Sequence, residues 1–150
     1  MPNTYTQVYI QFVFAVQNRI SLINPKWENE LYMYITGIVQ NHKQKMIAIN
    51  GIEDHVHLLL SLPATLSITK AAQLIKGGSS KWVHDTFPEH RLFQWQEKYG
   101  SFNVSVSQLD TLIRYIRKQE QHHRNMTFQE EFLALLKKHR IEFDEQYLWD

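Results

Sequence analysis

Asp54-His55-Val56-His57-Leu58-Leu59-Leu60, closed by Ser61 and Pro63, has the signature of a buried strand: a short apolar run bounded by turn residues. Side chains alternate between the faces of a strand, so His55 and His57 share one face and Val56, Leu58 and Leu60 the other. Two imidazoles one dyad apart can bind a single metal ion. They can also be a pair of hydrogen-bonded histidines at a sheet edge, since each buried ring nitrogen needs a partner.

The remainder of the chain narrows the choice. At 150 residues it is read as one domain over 1–150, long enough to bury a real core. It has no cysteine, which excludes disulfides, thiolate metal sites and cysteine nucleophiles. Any metal must therefore be held by histidine, carboxylate, amide or water. The net charge is +1, so a nucleic-acid footprint would have to be local. No apolar run approaches membrane-spanning length, and Met1-Pro2-Asn3-Thr4 lacks the basic, apolar form of a signal sequence. A cytoplasmic protein is expected.

Upstream of the histidines, Tyr5 to Val16 alternates as a first strand, with Thr6, Val8, Ile10, Phe12 and Phe14 on its apolar face. Asn24-Pro25 reads as a helix start, with Asn24 as N-cap, and Trp27, Leu31, Ile35, Ile38 and Val39 form a helical stripe to about Asn41. Lys45 to Ile49 is a second strand, and Asn50-Gly51 is a hairpin signal leading into the histidine strand.

Downstream, Ser67 caps a second helix to about Phe87, with Ile68, Ala71, Ala72, Ile75, Trp82 and Val83 on its stripe. Gly77-Gly78 inside it marks either a close approach or a kink. A short fourth strand is expected within Phe93 to Ser105. Ser107-Gln108-Leu109-Asp110 and Thr127-Phe128-Gln129-Glu130 have capping-box form and open a third helix, to about His123, and a fourth, ending near His139. The order β-α-β-β-α-β followed by helices is the ferredoxin-like, RRM-like α+β arrangement: an antiparallel sheet with additional C-terminal helices. Two helices cover one sheet face, and the third is expected over the other, where the histidines lie.

That third helix carries Tyr115 and Gln119, four residues apart and so on one face. Around them lie Arg114, Arg117, Lys118, His122, His123 and Arg124, the most concentrated basic stretch of the chain. Tyr115 can be an amphipathic tyrosine with its hydroxyl in water. Over a two-histidine metal face its hydroxyl can attack an electrophile, and Gln119 can offer an amide oxygen as a third ligand. Mixed nitrogen and oxygen donors with water suit Mg²⁺ or Mn²⁺ acting on phosphate, with Mn²⁺ and Zn²⁺ more tolerant of imidazole. Attack by tyrosine would leave a covalent phosphotyrosine link.

With these residues in view, the chain resembles the single-tyrosine HUH transposases of the insertion-sequence type, most closely the REP-associated tyrosine transposases. The resemblance rests on His55-Val56-His57 with its flanks, on Tyr115-Ile116-Arg117-Lys118-Gln119, and on Ile75-Lys76-Gly77-Gly78-Ser79-Ser80. Trp95-Gln96 and Tyr99-Gly100-Ser101-Phe102 fall where such proteins have an aromatic strand. It runs from Tyr5 to Asp150. It implies a metal-dependent enzyme that nicks and rejoins single-stranded DNA beside hairpins through a 5′-phosphotyrosine intermediate. By the same resemblance Tyr115 is the nucleophile, and His55, His57 and Gln119 hold Mg²⁺ or Mn²⁺. A homodimer is expected too, with Tyr115 acting on the partner's histidines.

Lys76, Lys81, Arg114, Lys118 and Arg124 are the expected DNA contacts. Two other classes remain open from the sequence. One is a domesticated hairpin-binding module without turnover. The other is an unrelated HxH metallohydrolase using Glu53 or Asp54.

Overall fold

The computed structural model describes residues 4–19 and 22–149; Met1 to Asn3, read above for a signal sequence, and Asp150 lie outside them. Four strands, β1 (Val8–Ala15), β2 (Lys45–Ile52), β3 (His55–Leu62) and β4 (Gly100–Val104), form one antiparallel sheet in the order β2-β3-β1-β4. With α1 (Glu28–Asn41) after β1 and α2 (Ile68–Thr86) after β3, this is the expected ferredoxin-like arrangement. Four further helices follow: α3 (Leu109–Arg117), α4 (Gln119–His122), α5 (Phe128–Lys138) and α6 (Glu145–Leu148).

Alternation in β1 and β3 divides the interior into two cores. Ile10, Phe12 and Phe14 with Val56, Leu58 and Leu60 face Leu31, Ile35 and Val39 of α1 and Ala71, Ala72 and Ile75 of α2. The opposite face of β1 presents Val13 and Ala15, which join Phe102 of β4 and Phe128, Phe132 and Leu136 of α5. The C-terminal helices thus make the sheet double-faced, and the histidines lie on this second face.

Several local signals act differently from expectation. The β2–β3 turn is at Glu53-Asp54, not Asn50-Gly51; Asn50 pairs with His57 and Gly51 with Val56 inside the ladder. Pairing of the apolar registers overrides the local turn preference. A Cβ on Gly51 would lie 2.1 Å from the His55 carbonyl oxygen, so glycine is required here by close backbone approach. Asn24 caps a turn preceding α1, its Oδ1 accepting from the Lys26 amide at 2.8 Å, while α1 itself starts after Trp27 without a side-chain cap.

Ser67 caps α2 as expected, accepting from Lys70 N at 3.1 Å. Gly77-Gly78 does not interrupt this helix. Its meaning is close packing, since a Cβ on Gly78 would stand 2.8 Å from Cδ1 of Ile38 on α1. Regular pairing of β1 begins at Val8, with Tyr5 exposed, and β4 is confined to Gly100–Val104. Trp95 adds an isolated bridge to Val16.

Ser107 makes no cap: its hydroxyl meets that of Ser105 at 3.0 Å, and Gln108 precedes α3. The expected third helix is broken at Lys118 into α3 and α4. Thr127 and Glu130 do form the reciprocal capping box of α5. The tail folds back so that Trp149 packs on Phe128 and Phe132.

Candidate metal centre and tyrosine

His55 and His57 are fully buried on β3. Ile52 of β2 and Ala15 of β1 pair with His55, and Asn50 and Val13 with His57, so the imidazoles rise from the interior of the sheet rather than its edge. Asn50, beside His57, donates from Nδ2 to the carbonyls of Ile116 and Arg117, each at 3.1 Å. Those are the last two carbonyls of α3, where helical backbone bonding runs out. The side chain therefore anchors the end of α3 to the sheet. Across the break at Lys118, Tyr115 and Gln119 both face the histidines; the ring of Tyr115 lies 6.1 Å from that of His57 in the same chain.

The group that gathers the site is Glu131, on the first turn of α5 and 1% exposed. Its Oε1 lies 3.2 Å from His55 Nε2, 2.8 Å from His57 Nε2 and 3.1 Å from His123 Nε2. Its Oε2 accepts from the Tyr115 hydroxyl and, at 3.1 Å, from Gln119 Nε2. The Gln119 Oε1 lies 3.0 Å from His55 Nε2. Sequence reasoning missed Glu131 and His123. The available signal was an acidic residue inside an apolar helical stripe, between Phe128 and Phe132, Leu135 and Leu136.

The hydrogen bonds on the far side of the rings reveal what the centre accommodates. His55 Nδ1–H donates to Asp54 Oδ1 at 2.8 Å, and His123 Nδ1–H to the Met126 carbonyl at 2.7 Å. In the neutral rings each Nε2 then carries a lone pair, aimed at a carboxylate oxygen. Acceptors converging on acceptors call for a positive charge among them, either a proton or a metal ion. Carboxylate and carbonyl support of Nδ1 is also the usual outer shell of metal-binding histidine. His57 accepts from Gln11 Nε2 at Nδ1, 3.0 Å away; rotating that amide by half a turn would present its oxygen and free His57 Nε2 as a ligand. His55, His57 and Glu131 thus fit a metal ion by position and by donor chemistry.

The electrostatics agree. Burial works against a charge on His55, but its hydrogen bonds to Asp54 and Glu131 prevail and raise its pKa to about 9. Burial pushes His57 below its ordinary value despite Glu131. Burial also opposes ionisation of Glu131, yet hydrogen bonds from His55, His57 and Tyr115 hold its carboxyl far below the usual range. Burial, followed by the bond to the Glu131 anion, pushes the Tyr115 hydroxyl up.

The other expected residues divide by location. Arg114, Lys118 and Arg124 are exposed on the segment bearing Tyr115 and Gln119. Lys76 and Lys81 are on α2, beneath the other face of the sheet. Lys76 donates to the Glu97 carbonyl at 2.9 Å and sits 5.1 Å from the ring centre of Tyr99, while Lys81 pairs with Asp85 at 2.5 Å. Ser79 is buried, accepting from Trp95 Nε1 at 3.0 Å and donating to the Ile75 carbonyl at 2.6 Å. The Lys76–Ser80 stretch therefore braces α2 against the segment before β4. Asp54 supports His55 from behind, and Glu53 is exposed at the turn, so neither takes the place of Glu131.

Comparison with known proteins adds three findings. Residues 4–119 match the family model described as "Transposase IS200 like". No curated protein matches the chain. Among solved structures, a candidate transposase from Deinococcus radiodurans R1 superposes with a TM-score of 0.66 at 19% identity, over 79% of this chain and 95% of that one. The REP-associated tyrosine transposase bound to a REP hairpin superposes with a TM-score of 0.61 at 16% identity, over 82% of this chain and 73% of that one. At these identities the likeness is one of fold.

Proposed function

The chain belongs to the IS200-like transposase family, and from that premise we propose that it cuts and rejoins single-stranded DNA beside hairpins, with Tyr115 as nucleophile. One observation carries this reading: the Tyr115 hydroxyl and both β3 histidines meet on the carboxylate of Glu131 within a single chain. The hairpin-bound structural neighbour supports the substrate class.

The Tyr115 oxygen attacks the scissile phosphorus, forming a phosphotyrosine bond as the bond to the 3′ oxygen breaks. Glu131 Oε2 accepts the hydrogen bond that aims the Tyr115 hydroxyl; the tyrosine proton passes to solvent as its oxygen attacks, and the 3′ oxygen departs as a hydroxyl after taking a proton from solvent. A 3′ hydroxyl from another strand then attacks the same phosphorus, restoring the phosphodiester and Tyr115. His55, His57 and Glu131, with Gln119 bridging His55 and Glu131, are the residues that would hold a divalent ion, Mg²⁺ or Mn²⁺. When bound, the ion supplies Lewis-acid polarisation of the phosphate oxygens. The Asn50 bonds to the end of α3 keep Tyr115 oriented over the sheet.

Because Tyr115 reaches the histidines of its own chain, a homodimer of the kind expected by resemblance would pair two complete sites rather than exchange tyrosines. Arg114, Lys118 and Arg124 flank the tyrosine and are the better-placed phosphate contacts. Among the described residues no helix is long and apolar enough to cross a membrane.

The test is incubation with a hairpin oligonucleotide and Mn²⁺, followed by denaturing electrophoresis. A denaturant-resistant adduct is expected from the unmodified protein and none from Tyr115→Phe. Hairpin binding without any adduct would favour the binding-module reading, and an undiminished adduct in the variant would remove Tyr115 from its role.

A further inference from the structure

His123 is absorbed neither by the motifs of the sequence nor by the family match, which ends at residue 119. Its side chain is 4% exposed, and its Nε2 lies 3.1 Å from the same Glu131 oxygen that His55 and His57 approach. The ring is fixed from behind by the Met126 carbonyl at 2.7 Å and stands edge-on to His55, with centroids 4.5 Å apart. A short helix, α4, and the return toward Thr127 deliver it there, so two donors, His123 and Glu131, come from the segment after the family match.

We propose that His123 is a further ligand of the ion bound by His55, His57 and Glu131, giving a centre of three imidazoles and a carboxylate that takes Mn²⁺ or Zn²⁺ in preference to Mg²⁺. This rests on the metal reading given under Proposed function and extends it. The warrant is the donor set. Mg²⁺ is a hard ion that keeps oxygen ligands and much of its water, whereas imidazole suits the transition ions. His123 also shows the structural mark of a ligand that His55 shows: Nδ1–H held by an oxygen acceptor, with the Nε2 lone pair turned inward. A surface histidine serving only to cap the chain at Met126 would not need its second nitrogen buried against a carboxylate.

The test uses chelator-treated full-length protein without DNA, titrated with Mn²⁺ while electron paramagnetic resonance follows the free ion. His123→Asn keeps an amide donor toward Met126 and removes Nε2. It should weaken Mn²⁺ binding by at least about tenfold, the loss that even an outer-shell partner brings. His57→Ala serves as the reference for loss of the site.

If His57→Ala loses Mn²⁺ and His123→Asn binds it as the unmodified protein does, the assignment of His123 is overturned and the proposed centre stands. If neither variant changes binding, both readings fail. A second measurement needs no variant: electron spin-echo modulation of the Mn²⁺-loaded protein should register three coordinated imidazoles, and two would overturn the proposal. Displacement of the bound Mn²⁺ by an equal concentration of Mg²⁺ would overturn the stated preference.

Discussion

Tyr115 and His57 are held by opposite oxygens of one carboxylate: the tyrosine hydroxyl donates to Glu131 Oε2, and His57 Nε2 lies 2.8 Å from Glu131 Oε1. A nucleophile on α3 and a ligand on β3 are thereby tied together by a residue on α5. The position of Tyr115 relative to the histidines consequently depends on a helix outside the matched family segment.

Removing that tie should be costly. Glu131→Ala would leave inward-facing imidazole nitrogens without a buried counter-charge. The metal-free variant should lose on the order of 3 kcal/mol of stability, as when one partner of a buried ion pair is deleted. Urea unfolding in the presence of chelator measures this. A loss within experimental error would mean that the three histidines do not depend on the carboxylate.

The pH dependence of metal-free stability follows from His55. Its folded pKa, about 9, lies above the ordinary 6.5, so the folded protein binds this proton more tightly than the unfolded chain. The associated stability is fully present below 6.5 and is lost as pH rises through 9. For a fully buried ring this is on the order of 3 kcal/mol. Thermal melts in chelator should therefore decline across that window, and the decline should vanish in His55→Asn. A flat profile in the unmodified protein would contradict the charge network.

Asn50 is predicted to be a positioning residue. Asn50→Ala removes two hydrogen bonds to the end of α3 and should cost about 1–2 kcal/mol. It should slow adduct formation at saturating DNA while leaving hairpin affinity nearly unchanged. A fall in affinity with an unchanged cleavage rate would place Asn50 in DNA binding instead.

DNA affinity should divide between the two faces of the sheet. Removing the charge of Arg114, Lys118 or Arg124 should reduce the slope of log affinity against log salt by about 0.7 each on single strands. Lys81→Ala should leave the slope unchanged. Lys76→Ala should lower the melting temperature through its lost bond to Glu97. An equal salt response for Lys81→Ala and Lys118→Ala would place α2 in the interface.

Mixing Tyr115→Phe with His55→Ala subunits distinguishes a self-contained site from a shared one. No rescue of cleavage is expected, even where subunit exchange is demonstrated with tagged chains. Restored cleavage would mean that the tyrosine crosses to a partner.

Alternation along β3 determined by itself that His55 and His57 share a face, and periodicity in α1 and α2 determined which face they do not share. These are local consequences of strand and helix geometry, carried by side-chain period alone. The spacing of Tyr115 and Gln119 likewise predicted a common face, although the intervening helix break at Lys118 was hidden. At that break Asn50, 66 residues away in sequence, donates to the Ile116 carbonyl. The Asn50-Gly51 signal failed for a related reason: pairing of the whole β2–β3 register outweighs the preference of two residues. The convergence on Glu131 was beyond any local pattern. Its neighbours come from β3, α3, α4 and the segment leading into α5, and only folding the C-terminal helices over the second sheet face gives a buried carboxylate that many partners at once.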